Sequence, residues 1–541
     1  MRKRSKFSLS HYVLKTAKMG YLLPIGAMEV LPGDSFRQAT SVFMRLAPML
    51  APVMHPVKIS VHHWFVPTRL IWDDFEDFIT GGPTNTDVSE MPTITSPSST
   101  GWATGSLADH LGLPPGIPDL EVSALPFRAY NLIYNEWYRD QDLETERTFS
   151  TDSGADTTTD ISVARSDWER DYFTTARPWP QKGPSVSVPI NANGATLNAA
   201  GVGVRSLDPA DGAGLPNLKF RFPTSTNPSA EYYLTTISTA TTNQGNRGTD
   251  VQFVNGPTGA YTVDQNPQFA GTGRAPLEFA PNQWFGITDS FKNAQISGTF
   301  GGIDINALRE AFALQRFAEH RAMYGSRYVE YLRYLGIKAS DARLQRPEYL
   351  GGGKQTIQFS EVLQTAEGTD PVGTLRGHGI AAFRSNRYRR FFEEHGYIIS
   401  LMVVRPKAVY MQGVPRMWLR RVREDYFQAE LQHIGQQEVY TKELYGAAPA
   451  GDDGGLKVFG YQNRYDDYRG NPSYVCGEFR DTLDYWHMAR SFANEPTLNS
   501  DFISATPTER IFAAQENDQL YCMINHSIQA RRLLSRYGNP I

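Results

Sequence analysis

Residues 56–67 read PVKISVHHWFVP, and the alternation inside this run decides the fold class. Val57, Ile59, Val61 and Phe65 share one parity, while Lys58, Ser60 and His62 share the other. Successive side chains of an extended chain point to opposite faces, so the pattern predicts a half-buried antiparallel strand. His63 falls on the apolar side and His62 on the polar side. The two are therefore not placed to grip one metal and read as structural histidines. Upstream, YLLPIGAMEVLPG (21–33) and SFRQATSVFMRL (35–46) are two further strand-like runs with Pro and Gly at the breaks. Far downstream, YIISLMVVRP (397–406) is an uninterrupted, β-branched-rich run of the kind buried on both faces. Strands drawn from both ends of the chain imply one β unit with long connections.

Those connections carry helical patterns. WDDFEDFIT (72–80) and GSLADHLGL (105–113) are short helices. In SALPFRAYNLIYNEWYRD (123–140), Pro126 suits a first turn, and Phe127, Tyr130, Tyr134 and Trp137 recur at helical spacing as a core stripe. From about 148 to 300 the composition turns to Thr, Ser, Asn and Gly, with short β-prone runs such as LKFRF (218–222) and EYYLTTI (231–237). This predicts a small, exposed β-rich excursion. The helical period returns in DINALREAFALQRFAEHRAMY (304–324), where Asp304 can cap and Ile305, Leu308 and Phe312 share a side. A second helix runs from Ser326 to Gly336. No repeat of fixed period is present, which argues against a solenoid or propeller.

The totals agree with a β-rich, turn-rich globular chain: 541 residues include 46 Gly and 34 Pro, too many for a helical bundle. The net charge of −4 gives no bulk attraction for nucleic acid, so any such contact must be local. Cys476 and Cys522 are too few for a disulfide framework. The basic start MRKRSKFSLSHYVLK has no apolar run after it, and no uncharged apolar stretch of about 18 residues occurs. The expectation is a chain with neither a secretory signal nor a membrane anchor.

Catalytic signatures fail on inspection. GGGKQT (351–356) suggests a phosphate loop, but Glu348 stands where the first Gly is needed and Gln355 where Ser or Thr is needed, so it reads as a Gly-rich turn feeding a strand. Asp452/Asp453 and Asp466/Asp467 read as solvated loops rather than a cation site. No cofactor, metal or catalytic constellation is called for, and the chain is not expected to be an enzyme.

Basic residues cluster in three places. Arg2, Lys3, Arg4 and Lys6 open the chain; Arg384, Arg387, Arg389 and Arg390 stand among Tyr388, Phe391 and Phe392; Arg531, Arg532 and Arg536 lie near the end. Arginines neutralise phosphates and rings offer stacking faces, which suits single-stranded nucleic acid. Solubilising termini and interface ion pairs are the plainer reading. Two aromatic, arginine-rich segments, 413–425 and 458–469, have the composition of subunit contacts, with Trp418, Arg420, Arg421, Tyr461, Arg464, Tyr465 and Tyr468 as candidates, although a core would look similar.

Several blocks carry a wider resemblance: EVLPGDSF (29–36), RLAPMLAPVMHPV (45–57), FVPTRLIWDDFEDFITGG (65–82), PFRAYNLIYNEWYRDQDL (126–143), ARPWPQKGP (176–184), DARLQRPEYLGGG (341–353), EHGYIISLMVVRP (394–406), FGYQNRYDDYR (459–469) and LDYWHMARSFANEPTLNSDFI (483–503). In this order, over nearly the whole chain, they resemble the major capsid proteins of the Microviridae, gokushovirus type. The arginine-rich approach to EHGY and an ending without a proline-rich tail depart from that type.

The resemblance implies a mainly β fold, a single eight-stranded antiparallel viral jelly roll with long loop insertions containing short helices. It divides the chain into a basic N-terminal arm (1–18), the first part of the jelly roll (19–184), an exposed insertion forming a three-fold projection (185–300), and helices, remaining strands and C-terminal arm (301–541). It also implies a T=1 icosahedral homo-oligomer of roughly sixty copies, assembled in the cytoplasm of a bacterial host. Implied partners are circular single-stranded DNA, an internal scaffolding protein, a minor DNA-pilot protein, a small basic DNA-binding protein and a host surface receptor, without membrane insertion. A carbohydrate-active β-sandwich would instead need paired carboxylates in a cleft, and a tail protein a trimer with β-solenoid repeats.

Overall fold

A computed structural model describes residues 4–83, 86–186, 218–221, 231–237, 251–255, 305–325, 327–338, 340–363, 375–451 and 455–536. The chain divides into one unit of Met1–Ser187 with Leu308–Ile541 and a second of Val188–Ala307. In the first unit the leading strands are β1 (Ser5–Ser8), β2 (His11–Ala17), β3 (Leu22–Val30), β4 (Ser35–Leu46) and β5 (Val57–Pro67), with a small hairpin of β6 (Thr93–Thr95) and β7 (Glu121–Ser123). The described part of the second unit is an antiparallel set of β8 (Leu218–Arg221), β9 (Glu231–Ile237) and β10 (Val251–Asn255). The first unit resumes with β11 (Glu348–Thr356), β12 (Gln358–Leu363), β13 (Leu375–Arg384), β14 (Tyr388–Phe391), β15 (Gly396–Pro406), the hairpin β16 (Gln436–Tyr440) with β17 (Val458–Asn463), and β18 (Leu520–Arg532).

The pairings are nested. β2 lies antiparallel to β18, β3 to β15, β4 to β13 and β5 to β11, like successive rungs of one long hairpin. Two further pairings, β4 with β18 and β5 with β15, roll that hairpin into two sheets. One is seven-stranded, ordered β1-β18-β4-β13-β12, with β2 also on β18 and β14 also on β4. The other is four-stranded, ordered β11-β5-β15-β3. The fold is thus mainly β, built on antiparallel sheets. Pro24 is accommodated because β3 is an edge strand, where a missing N–H costs no ladder bond.

The two sheets share one core: Val42 and Met44 of β4, Cys522 and Ile524 of β18 and Phe383 of β13 meet Val57, Ile59 and Val61 of β5 and Met402 and Val404 of β15. The expectation of a half-buried β5 is corrected here, because its other face is also covered. Trp64 and Val66 join Ile399, Leu401 and Val403 of β15 beneath a helical layer. That layer is α1 (Phe75–Thr80), α2 (Leu107–Leu111) and α3 (Leu125–Ile133), the last continued by a π-helical turn, Tyr134–Tyr138. Phe127, Tyr130 and Tyr134 are buried in it, and Tyr130 Oη donates to the Leu22 carbonyl at 2.7 Å, fastening α3 to β3. β15 is likewise buried on both faces, as its unbroken apolar run suggested.

The triple glycine is not a turn. Gly351, Gly352 and Gly353 lie inside β11, opposite His63, His62 and Val61. A Cβ on Gly352 would stand 2.2 Å from the Val61 carbonyl oxygen, so only glycine permits this approach. Gly352→Ala is therefore expected to lower stability by about 1–3 kcal/mol, seen as a fall in the thermal unfolding midpoint; an unchanged midpoint would contradict the packing.

Two helices precede β11: α4 (Ile305–Tyr324) and α5 (Tyr328–Tyr334), the second ending at Gly336 with φ +78°. Asp304 and Ser326 lie outside the described residues. The apolar side read from the sequence is present but uncovered, with Ile305 64% and Phe312 67% exposed.

Candidate nucleic-acid interface

The outer face of the seven-stranded sheet follows from parity. In β4 the residues Phe36, Gln38, Thr40, Val42, Met44 and Leu46 are buried, so Arg37 and Arg45 project the other way, both exposed. Register carries that face across the sheet, because directly opposed residues share a side. Arg37 stands opposite Gln529 of β18 and Arg389 of β14, Lys6 of β1 opposite Arg531, Arg384 of β13 opposite Ser41, and Arg376 opposite Val362 of β12. The face thus presents Lys6, Arg37, Arg45, Arg376, Arg384, Arg389 and Arg531, and no carboxylate among the described strand residues of that parity. Tyr12, Phe43, Phe391 and Tyr521 share it, with the Arg45 guanidinium 5.6 Å from the Phe43 ring centroid.

At one end the face deepens into a groove of about 520 Å³ lined by Lys6, Ser35, Phe36, Arg37, Arg387, Tyr388, Arg389, Gln529 and Arg531. Residues from all three sequence clusters meet there. Lys6, Arg37, Arg389 and Arg531 have no carboxylate partner among the described residues, which leaves their charge available to an anion.

Other sequence candidates are placed differently. Arg4 lies over the Phe391 ring at 4.7 Å. Arg390 ion-pairs with Glu348 at 2.8 Å. Arg532 turns inward, 3.1 Å from Asp34, and donates to the Glu29 carbonyl. Arg536 is exposed beyond β18, and Arg2 and Lys3 lie outside the described residues. Arg37, Arg45 and Arg376 were missed by looking for clusters; their signal was the two-residue period along 35–46 and 375–384.

The candidate contact segments also separate. Trp418 is 72% exposed, Arg421 is exposed and Tyr468 is half-exposed. Nearby Met417, Val422, Tyr426, Phe427 and Ile434 are exposed too, an apolar excursion that a lone soluble chain would not favour. Arg420, in contrast, ion-pairs with Asp467 and lies 4.1 Å from the Tyr468 ring centroid. Tyr465 is buried at φ +63°, its hydroxyl donating to the Tyr426 carbonyl. Tyr461 exchanges backbone bonds with Arg177, and Arg464 lies 5.4 Å from the Tyr465 ring centroid. Asp466 and Asp467 pair with Arg469 and Arg420, and Asp452 and Asp453 lie outside the described residues. Cys476 and Cys522 are both free thiols.

The family described as capsid protein (F protein) matches the chain over residues 1–541. Capsid protein VP1 of Chlamydia phage 1 is 34% identical, covering 99% of this chain and 95% of that protein. Capsid protein VP1 of Bdellovibrio phage phiMH2K is 35% identical over 95% of this chain and 90% of its own. Capsid protein VP1 of Spiroplasma virus 4 is 31% identical over 99% and 95%.

Proposed function

This chain belongs to the capsid protein (F protein) family of the Microviridae type, a structural protein of the phage virion and not an enzyme, and from that premise we propose how it builds its shell. Roughly sixty copies close into a T=1 icosahedron around circular single-stranded DNA, with the seven-stranded sheet turned toward the lumen. The observation that carries the reading is the carboxylate-free basic face, a local concentration of cations on one side of one sheet in a chain whose net charge of −4 gives no bulk attraction for nucleic acid.

The nested pairings β2–β18, β3–β15, β4–β13 and β5–β11 support an eight-stranded jelly roll, with β1, β12 and β14 as additions at its margins. The exposed apolar excursion around Trp418 supports a contact between copies, and Trp418→Ala should reduce the yield of closed shells; an undiminished yield would remove it from the interface. Host recognition we assign to the insertion at residues 185–300, most of which lies outside the described residues. Scaffolding, DNA-pilot and small basic DNA-binding proteins complete assembly in the bacterial cytoplasm.

Binding of an oligothymidylate to the purified chain tests the lumen assignment. Each phosphate contact to a single strand contributes a slope of about −0.7 in log K against log salt. Arg37→Ala with Arg389→Ala should therefore weaken binding and flatten that slope by about one contact each. Wild-type binding that ignores salt would contradict the reading.

A further inference from the structure

Beside the basic groove lies a second opening that this reading does not use. It is a cleft of about 890 Å³, within the size range of small-molecule sites, between α5, the segment after Gly336, β11 and β14. Its apolar lining comes from Trp137, Leu332, Leu344, Leu350 and Tyr349. Its acids are already matched: Asp341 accepts both Arg346 Nε and Nη2, at 2.9 and 2.6 Å, and Glu348 pairs with Arg390. Arg333, Lys338 and Arg389 also line the cleft and have no carboxylate partner among the described residues. The cleft and the groove share Tyr388 and Arg389, so a cationic track runs from the sheet face to the cleft mouth.

Its floor suits a planar ring. Tyr349 is 46% exposed, while its ring is held by Trp64 at 4.9 Å and His62 at 6.0 Å, so an open aromatic surface is presented with little freedom left to lose. Trp137 is fixed by Trp64 at 4.6 Å, by Arg346 at 4.2 Å and by donation to the Pro347 carbonyl at 3.0 Å. Aromatic lining, unpaired cations and neutralised acids together suit a base attached to a phosphate chain.

We infer that this cleft receives one or two unpaired bases of the packaged single strand, whose phosphates cross Arg389 from the basic sheet face, with Tyr349 as the stacking platform. The inference rests on the nucleic-acid reading of that face and adds to it a contact with bases. It predicts that the chain distinguishes DNA from a bare phosphate backbone, which the sheet's cations alone would not do.

The test compares, on the purified full-length chain, an oligothymidylate about 20 nucleotides long with an abasic deoxyribose-phosphate strand of equal length. Stacking of one base corresponds to about a tenfold preference for the oligothymidylate. Tyr349→Ala should abolish the preference and Tyr349→Phe should keep it. Ser340→Trp, an exposed position on the cleft wall outside the strands, should abolish it without disturbing β11. Lys6→Ala with Arg37→Ala should weaken both probes equally. Photocrosslinking with bromodeoxyuridine should place adducts on Tyr349 or Trp137. Equal affinity for the two probes, a preference untouched by Ser340→Trp, or adducts confined to the sheet face would overturn the cleft assignment while leaving the basic face standing. A hydrophobic peptide that occupies the cleft and leaves the base preference intact would assign it to a protein partner instead. Failure of both probes to bind would remove the nucleic-acid reading itself.

Discussion

Asp156→Ala is expected to cost about 3–5 kcal/mol of folding stability, enough to leave little soluble chain at 37 °C. Arg128 and Asp156 form an ion pair with side chains 1% and 0% exposed, joined at 2.8 Å. The rest of the guanidinium is also committed, to the Ile71 carbonyl at 3.0 Å and the Asp152 carbonyl at 2.9 Å. Burial pushes the Asp156 carboxyl up, but the Thr159 hydroxyl and amide and the Arg128 guanidinium outweigh it and hold the group ionised, below the usual carboxylate range. One pair thus ties α3 to the loop carrying Asp152 and to the strand exit at Ile71. Removing the acid strands a cation that water cannot reach. The double replacement Arg128→Met with Asp156→Leu should recover much of the loss, because a well-packed apolar pair avoids the desolvation cost. A single Asp156→Ala variant that melts within about 2 °C of wild type would contradict this account.

Acid is expected to unfold the chain through its buried histidines, which lose stability from the ordinary histidine pKa downward. Burial depresses His55, His62, His110 and His526 to about 4 and His63 to about 3. Two of them sit in a polar chain between the sheets. His63 Nδ1 is 2.8 Å from Ser400 Oγ, and His526 Nδ1 is 2.9 Å from Thr40 Oγ1 with its Nε2 2.9 Å from the Ile25 carbonyl. Below the ordinary histidine pKa of about 6.5 the unfolded chain binds protons that the folded chain refuses, so stability falls as pH drops. Each such histidine contributes about 1.4 kcal/mol per pH unit, until the folded group itself protonates near 4 or 3. Asp167 works in the opposite sense: burial and the neighbouring Glu144 carboxylate raise it to about 8, so acid relieves its cost. Asp34, Glu144 and Glu443, also raised by burial, act likewise. Five histidines against these few acids leave a net loss on the order of a few kcal/mol between pH 6.5 and 5. Tryptophan fluorescence of the purified chain should show a cooperative acid transition centred above pH 4; a fold intact at pH 3.5 would contradict it.

How much could be read beforehand depended on whether the information was local. The bounds of β4 match residues 35–46 because the alternation of Phe36, Gln38 and Val42 with Arg37 and Ser41 is written in the strand itself. For β5 the inner face was legible and the outer face was not. Trp64 and Val66 are covered by α1–α3 and the parts packed with them, and nothing within 57–67 announces that cover. The glycines of β11 looked like a turn because the Val61 carbonyl that excludes a side chain belongs to another strand. The basic face was half legible. Arg531 and Arg532 look alike in a cluster, yet neighbours in a strand must point apart, and Arg532 is the one turned inward to Asp34. What no local reading supplies is that β18 pairs with β4 across most of the chain's length, which is what unites Lys6, Arg37, Arg389 and Arg531 in one groove.

The most direct test is electron cryomicroscopy of particles assembled from the full chain with its genome. The account predicts closed icosahedral shells of roughly sixty subunits in which Arg37, Arg389 and Arg531 line the lumen beside density for the strand. Monomers or open oligomers without shells, or closed shells with that sheet face turned outward, would contradict it.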